Sequence, residues 1–216
     1  MDTKRIREST RQRLTTLGLA LPAEPPSVLC GPIERTERDV VARVLVLGLV
    51  CLSAEGLDPA VVQQEIETFA LAGLLTDLEQ ASVSREMGEV LPLPLDFELS
   101  WQIEVVNALL WTVNLAPEVS FSPDQAVDSG AILDPLLSAK SVEEVAEGAS
   151  FRPLQEIVEE ADYFRCYRAL YREASPAGID VRQQPIGPLE ALSVVHCAKA
   201  LEWVLDSSLS WEDPMS

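Results

Sequence analysis

One polar stripe interrupts the most apolar part of this chain. Between Trp101 and Leu115, the residues Glu104, Asn107, Trp111 and Asn114 recur at i, i+3, i+7 and i+10. That spacing puts them on one face of a helix. A carboxylate, two amides and an indole on one line could bind a small polar ligand. They equally fit a hydrogen-bonded seam inside a helical core, because buried polar groups must be paired.

Arginines supply the second chemistry. Arg43 breaks the apolar run Val40–Leu52. A permanently charged guanidinium there needs a carboxylate partner or a route to solvent along its stem, and Glu104 and Asp162 are the candidates. The run from Pro153 to Glu173 aligns Ile157, Ala161, Phe164, Arg168 and Tyr171 on one face, with Arg165 and Arg172 beside it and Tyr163, Tyr167 and Tyr171 every fourth residue. Arginine among aromatic rings can stack and capture carboxylate or phosphate, or can simply neutralise internal acids. His196 shares a face with Leu189 and Trp203 and reads as a core histidine. Ser193 lies one turn away, but no acidic third member completes a hydrolase triad.

The candidate ligand-binding residues are therefore Arg43, Glu104, Asn107, Trp111, Arg165 and Arg168. No metal ligand set and no cofactor are expected, because the single histidine and four scattered cysteines do not cluster. GxGxxG, P-loop, HExxH, GxSxG and EF-hand patterns do not occur, which points away from enzymes built on those templates.

The elements that must position these residues read as helices. Lys4–Leu17 is a short basic helix ending at Gly18, followed by an extended stretch with Pro22, Pro25, Pro26 and Pro32. Thr36 with Asp39 starts a helix to about Ser53. Asp58-Pro59 starts another to about Ala72, Thr76 with Glu79 a short one, and Ser141 with Glu144 a brief one. Long helices are expected at Asp96–Leu115, Pro153–Glu173 and Pro188–Asp206, with a loop at 176–187 and a short, poorly periodic segment from Ser122 to Leu137. No strand alternation or internal repeat is visible. The expected fold is all-α, a single irregular multi-helix domain over 1–216 with no sizeable sheet. Its residues 1–32 form the basic helix and the proline-containing segment.

Length and charge set the class. The chain has 216 residues, enough for its own core. Sixteen Lys+Arg face 35 Asp+Glu, a formal charge of −19. Such a field repels phosphate backbones and anionic lipid, which excludes ordinary nucleic-acid and membrane-surface binding. The longest apolar run, Val44–Leu52, is too short for a membrane span of about 20 residues. The acidity is regional: residues 1–50 carry +2, residues 51–150 carry −16 and residues 151–216 carry −5. The N-terminus lacks a secretory apolar core, and the sparse cysteines read as reduced, buried thiols of a cytoplasmic protein.

Five short runs together resemble a known family: Arg7-Glu8-Ser9 with Arg13-Leu14 and Leu17-Gly18; Arg35 to Arg43; Trp101-Gln-Ile-Glu104-Val-Val-Asn107-Ala-Leu-Leu-Trp111; Glu156 to Arg165; and Ala200-Leu-Glu-Trp203. In that order they resemble the bacterial family catalogued as domain of unknown function 4272, over most of the chain. The chain carries Tyr167-Arg168 where the family commonly has His-Trp, and His196-Cys197-Ala198 where charged residues are common. The resemblance implies an all-helical cytoplasmic protein and carries no activity with it.

Two functions follow as expectations. The first is a non-catalytic acidic soluble protein that binds a basic protein partner, as an inhibitor or immunity-type protein does. The second is an enzyme or small-ligand binder with a polar pocket around Glu104, Asn107, Arg43 and Arg168. Nothing in the sequence sets an oligomeric state.

Overall fold

Thr36 begins the helix on which the rest of the molecule is assembled. In a computed structural model that describes residues 1–84, 99, 102–116, 129–174 and 188–212, its side chain accepts from the Asp39 amide while Asp39 reaches back to the Thr36 amide. The helix spans Glu37–Ala54 and is α2; α1 is Thr3–Thr16. Every residue from Val40 to Cys51 is buried, so α2 has no solvent face over that stretch.

A helix apolar on all sides must be covered on all sides. Val40, Val44, Leu47 and Cys51 enter one apolar cluster, shared with α1 and with three helices from the second half of the chain. Those are α5 (Gln102–Thr112), α8 (Leu154–Ala174) and α9 (Pro188–Leu205). Val41, Ala42, Leu45, Val46, Leu49 and Val50 enter a second cluster. It is closed by α3 (Pro59–Thr68), α4 (Asp77–Val83) and α7 (Val142–Ala146). A 3-10 turn, Ala72–Leu74, links α3 and α4, and α6 (Ser129–Leu137) lies against α2. There Leu133 presses on Gly48, where a Cβ would overlap it. Among the described residues there is no strand, and the protein is all-α.

Helix starts follow the sequence, with Thr36, Asp58, Thr76 and Ser141 all acting as N-caps. Two helix ends differ from expectation. α3 stops at Thr68 rather than near Ala72, and α5 stops at Thr112 rather than Leu115. Both end by the same device as α1 and α2: an amide bonds back five residues, Leu71 to the Ile66 carbonyl and Leu115 to the Leu110 carbonyl. The residue just before that amide is left-handed. In α1 and α2 it is a glycine, Gly18 or Gly56; in α3 and α5 it is Ala70 (φ 54°) or Asn114 (φ 62°). No glycine announces those two ends. Asn114 is thus an exposed helix cap and not a member of the polar stripe. Trp101, the start of its helix and the 176–187 loop lie outside the described residues.

A left-handed alanine costs about 1 kcal/mol that glycine avoids. Ala70 is exposed, so little packing is lost on its replacement. Ala70→Gly is expected to raise unfolding stability by about 0.5–1 kcal/mol in urea melts; a destabilised variant would contradict the assignment of this end.

Candidate functional site

The arginines predicted to bind ligand are engaged inside the fold. Arg168 meets the Glu202 carboxylate of α9 with both terminal nitrogens, at 2.8 and 2.6 Å, and Arg165 adds its Nε at 2.8 Å. Arg165 also donates to the Ser27 carbonyl, which ties the proline-containing segment to α8. Arg13 makes a bidentate pair with Glu160 at 2.6 and 2.8 Å, and Arg7 meets the buried Asp162 at 2.9 Å. Arg43, only 5% exposed, pairs with Glu79 of α4 and donates to the Leu74 carbonyl. Its expected partners, Glu104 and Asp162, are not the ones it finds. Burial lowers the Arg43 pKa, and the charge of Glu79 opposes that.

Glu104 and Asn107 remain on α5, both 5% exposed. Glu104 Oε2 and Asn107 Nδ2 are buried with no hydrogen-bond partner among the described residues. Burial alone pushes the Glu104 carboxyl up to about 7; no arginine contributes. Its charge, followed by that of Glu160, adds to the burial that lifts the fully buried Cys197 thiol, so Glu104 faces the contact of α5 with α9. His196 is 8% exposed, its Nδ1 has no partner, and burial with nearby Lys199 brings it down to about 4. The four residues expected around one pocket are therefore divided: Arg43 belongs to α4, Arg168 to Glu202, and Glu104 and Asn107 to the α5 interior. Trp111, 8% exposed, packs under Arg152, 4.9 Å above its ring.

A different constellation forms where α2 begins and α9 ends. Trp203 and Trp211 meet edge to face at 5.3 Å. Arg35 lies 3.8 Å over the Trp203 ring; Arg43 and Lys199 lie 4.3 and 4.9 Å from the Trp211 ring centre. Trp211 lines two cavities. One, about 290 Å³, is lined by Arg35, Arg38, Arg43, Leu74 and Trp203. The other, about 330 Å³, is lined by Glu79, Gln102, Lys199 and Glu212. Sequence reading missed Arg35, Arg38, Lys199 and Trp211; only the eight-residue interval between the tryptophans was visible.

Arg35 also caps α9. Its Nε donates to the Trp203 carbonyl at 2.5 Å, and its Nη2 to those of Asp206 and Leu209 at 3.4 and 2.7 Å. Arg152 does the same for α5, donating to the Trp111 and Ala116 carbonyls at 2.8 and 3.0 Å. A cation on terminal carbonyls completes hydrogen bonds a helix leaves open and opposes its dipole. No group of three or more metal-ligating side chains occurs among the described residues, and none of the described helices is long and apolar enough to cross a membrane. Cys30 is exposed, unlike Cys51, Cys166 and Cys197.

Two measurements check this electrostatic layout. Glu202→Ala strands the buried Arg168 and the partly buried Arg165 and is expected to cost about 3–5 kcal/mol in urea unfolding. Replacing all three residues by apolar ones (Arg165→Met, Arg168→Met, Glu202→Leu) should recover most of it; equal losses would refute the charge origin. The second concerns pH. Glu104, raised to about 7, stabilises the fold fully below its ordinary 4.5 and loses that contribution as pH rises through 7. His196, lowered to about 4, contributes above 6.5 and loses it as pH falls through 4. The slopes oppose each other between 4.5 and 6.5. Glu104→Gln should therefore gain stability over the parent steadily as pH rises from 4.5 to 7, and a pH-independent difference would exclude a buried, titrating Glu104.

The family described as Domain of unknown function (DUF4272) matches residues 6–214, and the chain belongs to it. No curated protein and no solved structure matches.

Proposed function

We propose that this member of the DUF4272 family is a non-catalytic acidic protein that binds a basic protein partner, in the manner of an inhibitor or immunity protein. The observation that carries the reading is the make-up of the layer covering the second face of α2. Glu55, Asp58, Glu67, Asp77, Glu143, Glu144 and Glu147 are all exposed there, on the ends and outer faces of α2, α3, α4 and α7. The acid-rich middle of the sequence thus gathers around one side of one helix.

The same layer exposes apolar side chains. Val61, Leu74 and Leu78 are 40%, 48% and 48% exposed. Apolar anchors within a charged surround are the anatomy of a protein interface, and acidic potential steers a cationic partner onto it. The free thiol of exposed Cys30 supports action in a reducing, cytoplasmic compartment, as in the bacterial family the sequence resembles.

Affinity capture with the full chain tests this in three arms: low salt, high salt, and a Leu74→Ser/Leu78→Ser variant at low salt. The expected result is one or a few strongly basic proteins retained only in the first arm. Equal recovery by the variant, or recovery of no basic protein, overturns the proposal.

A further inference from the structure

We infer that the cavity between the start of α2 and the indoles of Trp203 and Trp211 binds a small oxyanion, a carboxylate or phosphate ester attached to a compact apolar group. The argument is an inventory of donors. Arg43, 5% exposed, spends Nη1 on the Leu74 carbonyl and Nη2 on Glu79; its Nε is buried without an acceptor. Arg35 spends Nε and Nη2 on three carbonyls of the α9 terminus, which leaves Nη1. Arg38 spends Nε on Glu143 at 2.8 Å, which leaves both terminal nitrogens. All three line one cavity of about 290 Å³. Its carboxylate, Asp39, is already committed to the Thr36 amide and hydroxyl at 2.9 and 2.8 Å.

Unspent guanidinium donors around a common space call for oxygen acceptors, and planar oxyanions match that geometry best. Arg38 stands at the mouth, its side chain 58% exposed, with the pair of nitrogens a bidentate contact needs. Arg43 closes the inner wall, its Nε buried and not open to the cavity, so the donors within a ligand's reach are Arg35 Nη1 and the terminal pair of Arg38. The remaining lining selects the rest of the ligand: Ala42, Leu74, Leu209 and the two indoles are apolar. The volume sits at the lower limit of ligand pockets, too small for a dinucleotide and suited to a single ring or short branched chain. It borders the proposed partner surface, with which it shares Leu74 and the Arg38–Glu143 pair, but it takes a small anion and not a protein, so failure of the titration below and failure of the affinity capture are distinguishable.

Titration calorimetry on the full chain at fixed ionic strength tests the inference. The probes are phenyl phosphate, benzoate, inorganic phosphate and the neutral benzyl alcohol. At least one aromatic anion is expected to bind saturably, more tightly than inorganic phosphate, with no binding by benzyl alcohol. Arg38→Gln, which alters only an exposed ion pair and leaves the fold intact, should weaken that anion about tenfold. Arg172→Gln, away from the cavity, should leave it unchanged. Failure of both aromatic anions to bind below about 10 mM overturns the site, as does equal binding by Arg38→Gln or by benzyl alcohol.

Discussion

The physical constraint behind this fold is the burial of α2 on every side. From Val40 to Cys51 the helix presents apolar side chains in all directions, so no single layer can cover it. The long helices α5, α8 and α9, with α1, take one half of its circumference. The short elements α3, α4 and α7 take the other, and α6 bridges the two, with Leu133 in the first cluster and Leu136 and Leu137 against both. Those short helices have one inward stripe each and a wide outward face. Val62, Ile66 and Phe69 point inward from α3 and its cap, while Glu67 remains outside. The regional acidity of the sequence thus becomes a face because of what must be packed beneath it.

Arginine placement completes that logic. Three of the four buried acids among the described residues are held by cations: Asp162 by Arg7, Glu202 by Arg165 and Arg168, Glu79 by Arg43. Each pair joins segments 34 or more residues apart. Such pairs add little net stability over apolar packing of equal volume, yet removing one partner is expensive. They therefore specify which helix lies beside which. With these four arginines committed to buried acids, the acids of the covering layer have few internal partners. Arg38 with Glu143 is an exception, and it is exposed.

The sequence was legible where the governing physics is local. A capping box needs only residues three apart, and the Thr36 and Thr76 boxes form as their spacing indicates. Helix ends were legible where glycine marks the left-handed position and illegible where Ala70 or Asn114 takes it, because neither residue type signals that conformation by itself. Long-range partnership left no trace. Arg43 reaches Glu79 across 36 positions because the 3-10 turn folds α4 back along α2. Trp211 lies beyond the last helix and has no periodicity to place it. Arg35 and Arg152 precede helices and cap others, a role that spacing within one helix cannot reveal.

Glu104 is the residue this packing serves least. It sits where α5 meets α9 with one oxygen unpaired, and burial raises its carboxyl to about 7. Arg43 and Arg168, the nearest cations in the sequence reading, have been drawn to other acids. The same division explains how a chain of −19 can hold an oxyanion cleft. At physiological salt, charges interact over about 8 Å. A ligand inside the cleft meets Arg35 and Arg38 at contact distance, and of the covering layer's exposed acids it has Glu143, paired with Arg38, close by. A protein partner approaching the second face of α2 meets the summed field of seven exposed carboxylates. Opposite charges can thus be recognised on one small protein because the cleft presents individual arginines at contact range, whereas the acidic face acts through the sum of its carboxylates.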